Sequence, residues 1–341
     1  MSEAPELRRI GLRGTPRDLG RALGEEGRAA VRDVLLGAPC WQAVTAPAHR
    51  AAVARMERGL RARFPAILEE VEGLAEGLAL PFADVLAWNC RGDLMSNAPD
   101  GCTTVLLPGP APVIAHNEDG LPGFRGHAFL ADVTPDGAPA FTAFCYPGSI
   151  PGHTFAVTGA GLVQAVNNIR LRGVQARVPR MALGRAALGC ASLDGVAAHF
   201  TADNDSGGFH MAFAQAGDAR ILSVEYGGGA VSIREITEPQ VHANHALHLA
   251  LGPEGQSVTR SSADRQARGT ARLAEGVRDP LAILRDGKGP GLPVFRTAPD
   301  DPDDENTLAT ALFRVRGGGV DWEVRAQGCL AVAYGGRVEA T

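Results

Sequence analysis

The sequence predicts an α+β domain, a layered packing of strands and helices. Two observations carry this expectation. Up to about residue 98, apolar residues recur at helical spacing. From Cys102 onward, short runs rich in Val, Phe, Ile and Thr alternate with Gly and Pro, the texture of strands and turns. With 341 residues, the chain is long enough for one large domain or two ordinary ones.

The first helix is expected over Arg17 to Leu36, where Leu19, Ala22, Leu23, Ala29, Ala30, Val34 and Leu35 are separated by charges. Ala51 to Leu80 repeats that spacing and stops at Pro81, because proline breaks a helix interior. A short third helix follows over Ala83 to Leu94. Strands are predicted at Thr103–Leu107, Val113–Ala115, Ala128–Val133 and Ala140–Cys145. More follow at Phe155–Val157, Leu162–Val166, Phe209–Ala214, Ile221–Tyr226 and Ala230–Glu235, with a last pair at Leu308–Val315 and Trp322–Arg325. Helices are expected at Arg180–Leu188, Leu193–Ala198 and Ser262–Glu275. No internal repeat is visible, and the acidic stretch Asp300 to Glu305 reads as a solvated surface loop.

Composition excludes several classes. The chain is 45% apolar and 21% charged, which fits neither disorder nor membrane spanning. Its net charge of −5, with no Lys/Arg block, argues against a nucleic-acid partner. The opening MSEAPELRRIGLRG has no apolar core of a secretion signal, so a cytoplasmic location is expected. The six cysteines, at 40, 90, 102, 145, 190 and 329, form no CxxC pair and are expected as reduced thiols, with 90, 145, 190 and 329 in the core. The chain has no GxxxxGK[ST], HExxH, GxSxG or SxxK, and TGAGLVQA lacks the third glycine of a dinucleotide fingerprint.

One stretch carries chemistry: PDGCTTVLLPGPAPVIAHNEDG, from Pro99 to Gly120. Asp100 and Gly101 suggest a turn, and glycine allows a strained bond before Cys102. A thiol there can attack the carbonyl of Gly101, shift the acyl group from nitrogen to sulfur, and release the upstream segment by hydrolysis. The product begins with Cys102, whose thiol is the nucleophile and whose α-amine, titrating at about 7.7–8.0, is the base. On the dipeptide alone, a buried cysteine starting a strand is the favoured reading, and the residues around it reverse that.

Further motifs extend the pattern in order. They are GTPRDLGRALGEEGR, DVLAWNCRGDLM, DGCTT, AHNEDG, TFAVTGAGLVQAVNN, VHANHAL, TRSSADRQARGTARL and TLATALFRV. This ordered set resembles the N-terminal-nucleophile hydrolases of the isopenicillin N acyltransferase and carcinine hydrolase group, over essentially the whole chain. The resemblance implies a four-layer αββα sandwich, self-cleavage between Gly101 and Cys102, and action on amide or acyl bonds without metal or organic cofactor. It implies a helical segment 1–101 that stays bound as a small subunit and a catalytic subunit 102–341.

The resemblance also implies roles. Cys102 is the nucleophile and Asn244 the oxyanion donor. Asp119 orients the new α-amine or holds the processing loop, and Asn117 and His116 support the site. A turn-capping Asn244, a turn-forming Asp119 and a strand-end Asn117 remain open on the residues alone. The histidines of HANHALH, at 242, 245 and 248, would put two imidazoles on one face if helical, a weak metal signal. Arg265 and Arg268 read as solvated helix charges or as anchors for an anionic group. The arginine that precedes the TALF-like strand in the penicillin-making relative is absent here, where Thr307 and Leu308 stand. The expected substrate is therefore a small N-acylated amine, with water as the acyl acceptor. Acyl-coenzyme A-dependent transfer, an uncut amidase with His116 as base, and an unprocessed binding relative are the alternatives. Self-association is left open.

Overall fold

The computed structural model describes residues 7–96, 101–202, 204–252, 254–298 and 300–340; Asp100 of the expected turn lies outside them. Two β-sheets stack face to face, with helices outside both. The first part of the chain holds β1 (Arg8–Gly14), α1 (Pro16–Ala30), α2 (Pro39–Val44), α3 (Arg50–Arg63), α4 (Pro65–Leu78), α5 (Phe82–Asn89) and α6 (Arg91–Leu94). Strands β2 (Gly101–Leu107), β3 (Val113–Gly120), β4 (Phe129–Pro135), β5 (Phe141–Cys145), β6 (Ala156–Thr158) and β7 (Leu162–Ile169) follow. Then come α7 (Arg180–Ala187), α8 (Leu193–Thr201), β8 (Gly208–Gln215), β9 (Ile221–Gly227), β10 (Ala230–Glu235) and β11 (Gln240–His242). The chain continues with α9 (Arg260–Ala274), α10 (Pro280–Leu284), β12 (Asn306–Arg316), β13 (Gly319–Ala326) and β14 (Tyr334–Glu339).

Sheet one has the order β1-β4-β5-β6-β7-β8-β9-β10, and sheet two the order β11-β2-β3-β12-β13-β14. Strand β2 packs against β7 across the gap, α9 and α10 cover sheet two, and α8 covers sheet one at β8, β9 and β10. The layers therefore run helix, sheet, sheet, helix. Among the described residues no helix is long and apolar enough to cross a membrane.

Four expectations need correction. The helix expected over Ala51 to Leu80 is two helices. Pro65 pushes the residue before it out of helical geometry, and Phe64 sits at φ −134°, ψ 58°. The segment before Cys102 is not purely helical, because β1 runs parallel to β4 as an edge strand of sheet one. Its RRIGLRG is mostly exposed and so carries no apolar run. Strand β3 does not stop at Ala115 but continues through His116, Asn117, Glu118 and Asp119, which are all buried. Of the cysteines expected in the core, Cys90 and Cys145 are buried there, whereas Cys190 and Cys329 are half-buried.

The N-terminal part is locked to the rest. Helices α1 and α4 meet through glycines: a Cβ on Gly20 would fall 1.9 Å from the Glu70 carbonyl oxygen, and one on Gly77 2.1 Å from that of Arg21. Only glycine permits that backbone approach. Asn89 donates to the Gly148 carbonyl at 3.1 Å and accepts from the Ile150 N–H at 3.0 Å, pinning α5 to the loop after β5. One apolar core runs from Leu19 and Leu74 through Trp88 to Phe144 and Phe213.

Candidate active site

The hairpin β2–β3 sets the site by register. Cys102 lies opposite Glu118 and Thr104 opposite His116, while Gly101 lies opposite Asp119 and Thr103 opposite Asn117. Because strand side chains alternate, the first four share the face toward sheet one and the second four share the face toward α9 and α10. All eight are buried. This is a polar interior, so each group needs a partner.

On the outer face, Asn244 reaches in from the loop after β11. Its Oδ1 accepts the backbone N–H of Cys102 at 2.9 Å and Nη2 of Arg265 at 2.6 Å. Its own N–H donates to Ser262 Oγ at 2.8 Å. The Asn244 Nδ2 amide is buried and has no hydrogen-bond partner among the described residues. Arg265, expected among solvated charges, is fully buried instead. Its guanidinium donates to the Cys102 carbonyl, to Thr103 Oγ1 at 2.9 Å and to Ser261 Oγ at 3.0 Å. Burial pushes its pKa below the usual arginine value, and the nearby carboxylates of Asp119 and Glu305 oppose that. Arg268 pairs with Asp286 nearer the surface.

Asp119 does not contact the Cys102 nitrogen, which is taken by Asn244. Its Oδ1 accepts from Thr307 Oγ1 at 2.6 Å, and its Oδ2 has no partner among the described residues. Burial raises its pKa, against the pull of Arg265, the Thr307 hydroxyl and Arg296. Asn117 spends its side chain on the scaffold, donating to the Leu284 carbonyl at 2.7 Å and accepting from Thr310 Oγ1 at 2.8 Å.

Gly101 is not in the left-handed region that the expected strain would need; it is paired in regular register with Asp119. The residue is glycine because of crowding. A Cβ there would lie 2.4 Å from Glu305 Oε2 and 3.2 Å from Asp119 Cβ. Glu305 cannot step aside, since Arg170 donates to its Oε1 at 3.0 Å and Arg296 to its Oε2 at 2.7 Å. Arg296 also binds Asp301. The acidic stretch 300–305 is therefore not simply a solvated loop: its inner carboxylates are neutralised by buried arginines.

The inner face differs in character. Cys102, His116 and Glu118 each place one ligand-type atom within 4.8 Å of the others, all buried. His116 Nε2 lies 3.0 Å from Glu118 Oε2, His116 Nδ1 lies 2.8 Å from Thr104 Oγ1, and the Tyr146 hydroxyl donates to Glu118 Oε1 at 3.0 Å. Burial pushes the His116 imidazole down to about 3. Of the HANHALH histidines, His242 and His248 both face Glu225, at 2.8 and 3.7 Å, and His245 stands apart. His242 pairs with Glu225 at 2.8 Å, His245 meets Ser262, and His248 bridges Ser223 and Ser232.

Sequence reasoning thus located Cys102, His116, Asn117, Asp119 and Asn244, and the fold brings all five to one hairpin and its neighbouring loop. It missed Glu118, Tyr146, Thr104 and the central place of Arg265. Extending β3 by four residues would have exposed Glu118, because period two puts it with Cys102 and His116.

The chain matches the model of the family described as acyl-coenzyme A:6-aminopenicillanic acid acyl-transferase over residues 107–327. No curated protein matches it. Among solved structures it is similar to the Caenorhabditis elegans N-acylethanolamine-hydrolyzing acid amidase ortholog. The identity is 12% and the TM-score 0.41, with 63% of this chain and 93% of that chain covered.

Proposed function

The chain belongs to the acyl-coenzyme A:6-aminopenicillanic acid acyl-transferase family, and on that premise we propose that it is a self-cleaving cysteine amidohydrolase. Cleavage falls between Gly101 and Cys102. Residues 1–101 stay bound to the catalytic part 102–341, an arrangement supported by β1 in sheet one and by the hydrogen bonds of Asn89 to the loop after β5. The freed Cys102 then attacks an amide carbonyl through Sγ, with its own α-amine as base. The acyl group passes to sulfur as a thioester, and water releases it. The six scattered cysteines, with no CxxC pair, suit a reducing compartment, and we take that to be the cytoplasm.

The observation that carries this reading is the Asn244 amide. Its carbonyl holds the Cys102 nitrogen at 2.9 Å, which leaves, on the residue that caps the Cys102 backbone, a buried N–H donor without a partner among the described residues. A preorganised donor at that place stabilises the negative oxygen of a tetrahedral intermediate. Arg265 fixes the amide, and Asp119 offsets the charge of Arg265 from the same face.

We take the substrate to be a small N-acylated amine, with water as acceptor. The family's own name favours transfer from an acyl-coenzyme A thioester, and that is the second reading. Intact mass of the purified protein should show two fragments summing to the chain plus water, and Cys102→Ala should remain in one piece. A wild type that is active uncut would overturn self-cleavage. With cut protein, a panel of N-acyl amines and acyl-coenzyme A donors separates the readings. Amine release should dominate, and fast transfer with negligible hydrolysis would favour the family's named activity.

A further inference from the structure

We propose that the His116–Glu118 pair is the base of the self-cleavage step itself, a role distinct from that of the α-amine in later turnovers. The inference rests on the self-cleaving reading above. In the uncut chain the nitrogen of Cys102 is an amide. Its lone pair is delocalised into the Gly101 carbonyl, and its N–H donates to Asn244 at 2.9 Å. It cannot take the proton of its own thiol. Some other group must, and the pair on the same face of β2–β3 stands within 4.8 Å.

The hydrogen bonds fix how that pair is protonated. Asn167 Nδ2 donates to the His242 carbonyl at 3.1 Å, so its Oδ1 is the atom that faces Thr104. That oxygen has no proton, and therefore the Thr104 hydroxyl donates to it at 2.6 Å. Thr104 Oγ1 has spent its one hydrogen and must accept from His116 Nδ1–H at 2.8 Å. The other ring nitrogen, Nε2, faces Glu118 Oε2 at 3.0 Å, and one proton lies between them. The Tyr146 hydroxyl donates to the other carboxyl oxygen, Glu118 Oε1, at 3.0 Å. A carboxyl and an imidazole sharing one proton can accept a second, becoming a carboxylic acid beside an imidazolium.

The step then balances. The thiol proton of Cys102 passes to the pair as Sγ bonds to the Gly101 carbonyl carbon. Negative charge collects on the carbonyl oxygen. As the C–N bond breaks, the pair returns its proton to the departing nitrogen, which leaves a thioester and a free amine. Water hydrolyses the thioester to the Gly101 carboxylate and the thiol. From then on the amine is present, and the pair is no longer needed as base.

The test uses the full-length chain with Glu118→Gln, which keeps the shape and can still donate to His116 and accept from Tyr146. Fragment appearance should slow by about 100-fold, the scale of one general base. Amide turnover per cut chain, measured after long incubation, should fall by clearly less than cleavage does, because the α-amine is by then the base. Equal cleavage rates, or equal losses in cleavage and turnover, would overturn the proposal. In the wild type, cleavage and turnover should follow different pH profiles, since different bases act. The groups facing the pair are Cys102, Tyr146 with the His153 ring tilted against it, and His210 beyond Asn167. Superimposable profiles would also overturn it, whether or not the variant folds. A wild type that never cuts instead removes the self-cleaving reading, so the two failures are distinguishable.

Discussion

Asn244 presents its Oδ1 to the backbone N–H of Cys102 at 2.9 Å and its Nδ2 to no group among the described residues. Reversing the amide would set a donor against a donor at Cys102 and another against Arg265. The orientation is thus fixed by two neighbours, and the open donor follows from it. An unsatisfied buried donor costs about 1–3 kcal/mol. Such a cost is tolerable where the donor serves charge that forms during a reaction.

Asn244→Ala should therefore lower turnover of cut enzyme by about two to three orders of magnitude, as removal of single oxyanion donors does. Steady-state kinetics on matched amounts of cut protein measures this. Near wild-type kcat would reduce Asn244 to a scaffold residue.

Arg265 is buried with Asp119 and Glu305 in its field and with Cys102, Thr103 and Asn244 as acceptors. Arg265→Leu leaves those groups without their cation. Urea denaturation should show a loss of about 3–5 kcal/mol, the scale of breaking a buried ionic network. A loss under about 0.5 kcal/mol, typical of surface substitutions, would contradict the burial and partners described.

Gly101→Ala adds one methyl where Glu305 Oε2 and Asp119 Cβ already sit. Alanine is chemically as good an acyl donor as glycine, so any slowing of cleavage reports the crowding. Overpacking of this kind should cost about 1–3 kcal/mol in stability and delay fragment appearance. Unchanged cleavage and unchanged thermal midpoint would show that Glu305 yields freely.

The pKa of His210 is held well below the ordinary histidine value, first by burial and then by the charges of His242 and His248. The unfolded chain takes up a proton near pH 6.5 that the folded chain refuses. Stability from this group is complete above about pH 6.5 and is lost as pH falls below it. His210→Asn keeps a donor toward Asn167, and its urea midpoint should decline less between pH 7.5 and pH 5 than that of wild type. Equal declines would remove His210 from the acid response.

The layered fold and the hairpin carrying Cys102 were legible because both rest on local signals, namely period-two strands and Gly/Pro punctuation. Arg265 was not, because on an amphipathic helix it has the same local pattern as any surface arginine. Only the docking of α9 onto β2 reveals that its side chain points inward. The stretch from Asp300 to Glu305 misled for the same reason. Its partners, Arg170 and Arg296, lie elsewhere in the chain and appear only after folding. Glu118 was obscured by polarity: four polar residues in a row look like a turn, and here they continue a buried strand.

The parallel pairing of β1 with β4 has a thermodynamic consequence for a chain cut after Gly101. Before the cut, unfolding and refolding involve one molecule. Afterwards the same native contacts join two polypeptides, and recovery from the unfolded state becomes an association between them. Its apparent stability then depends on protein concentration. Dilution after denaturation should leave the fragments apart, with sheet one lacking its edge strand β1 and the apolar residues beneath α1 and α4 exposed. The mature protein would persist because unfolding is slow, a kinetic stability set by the barrier and not by equilibrium.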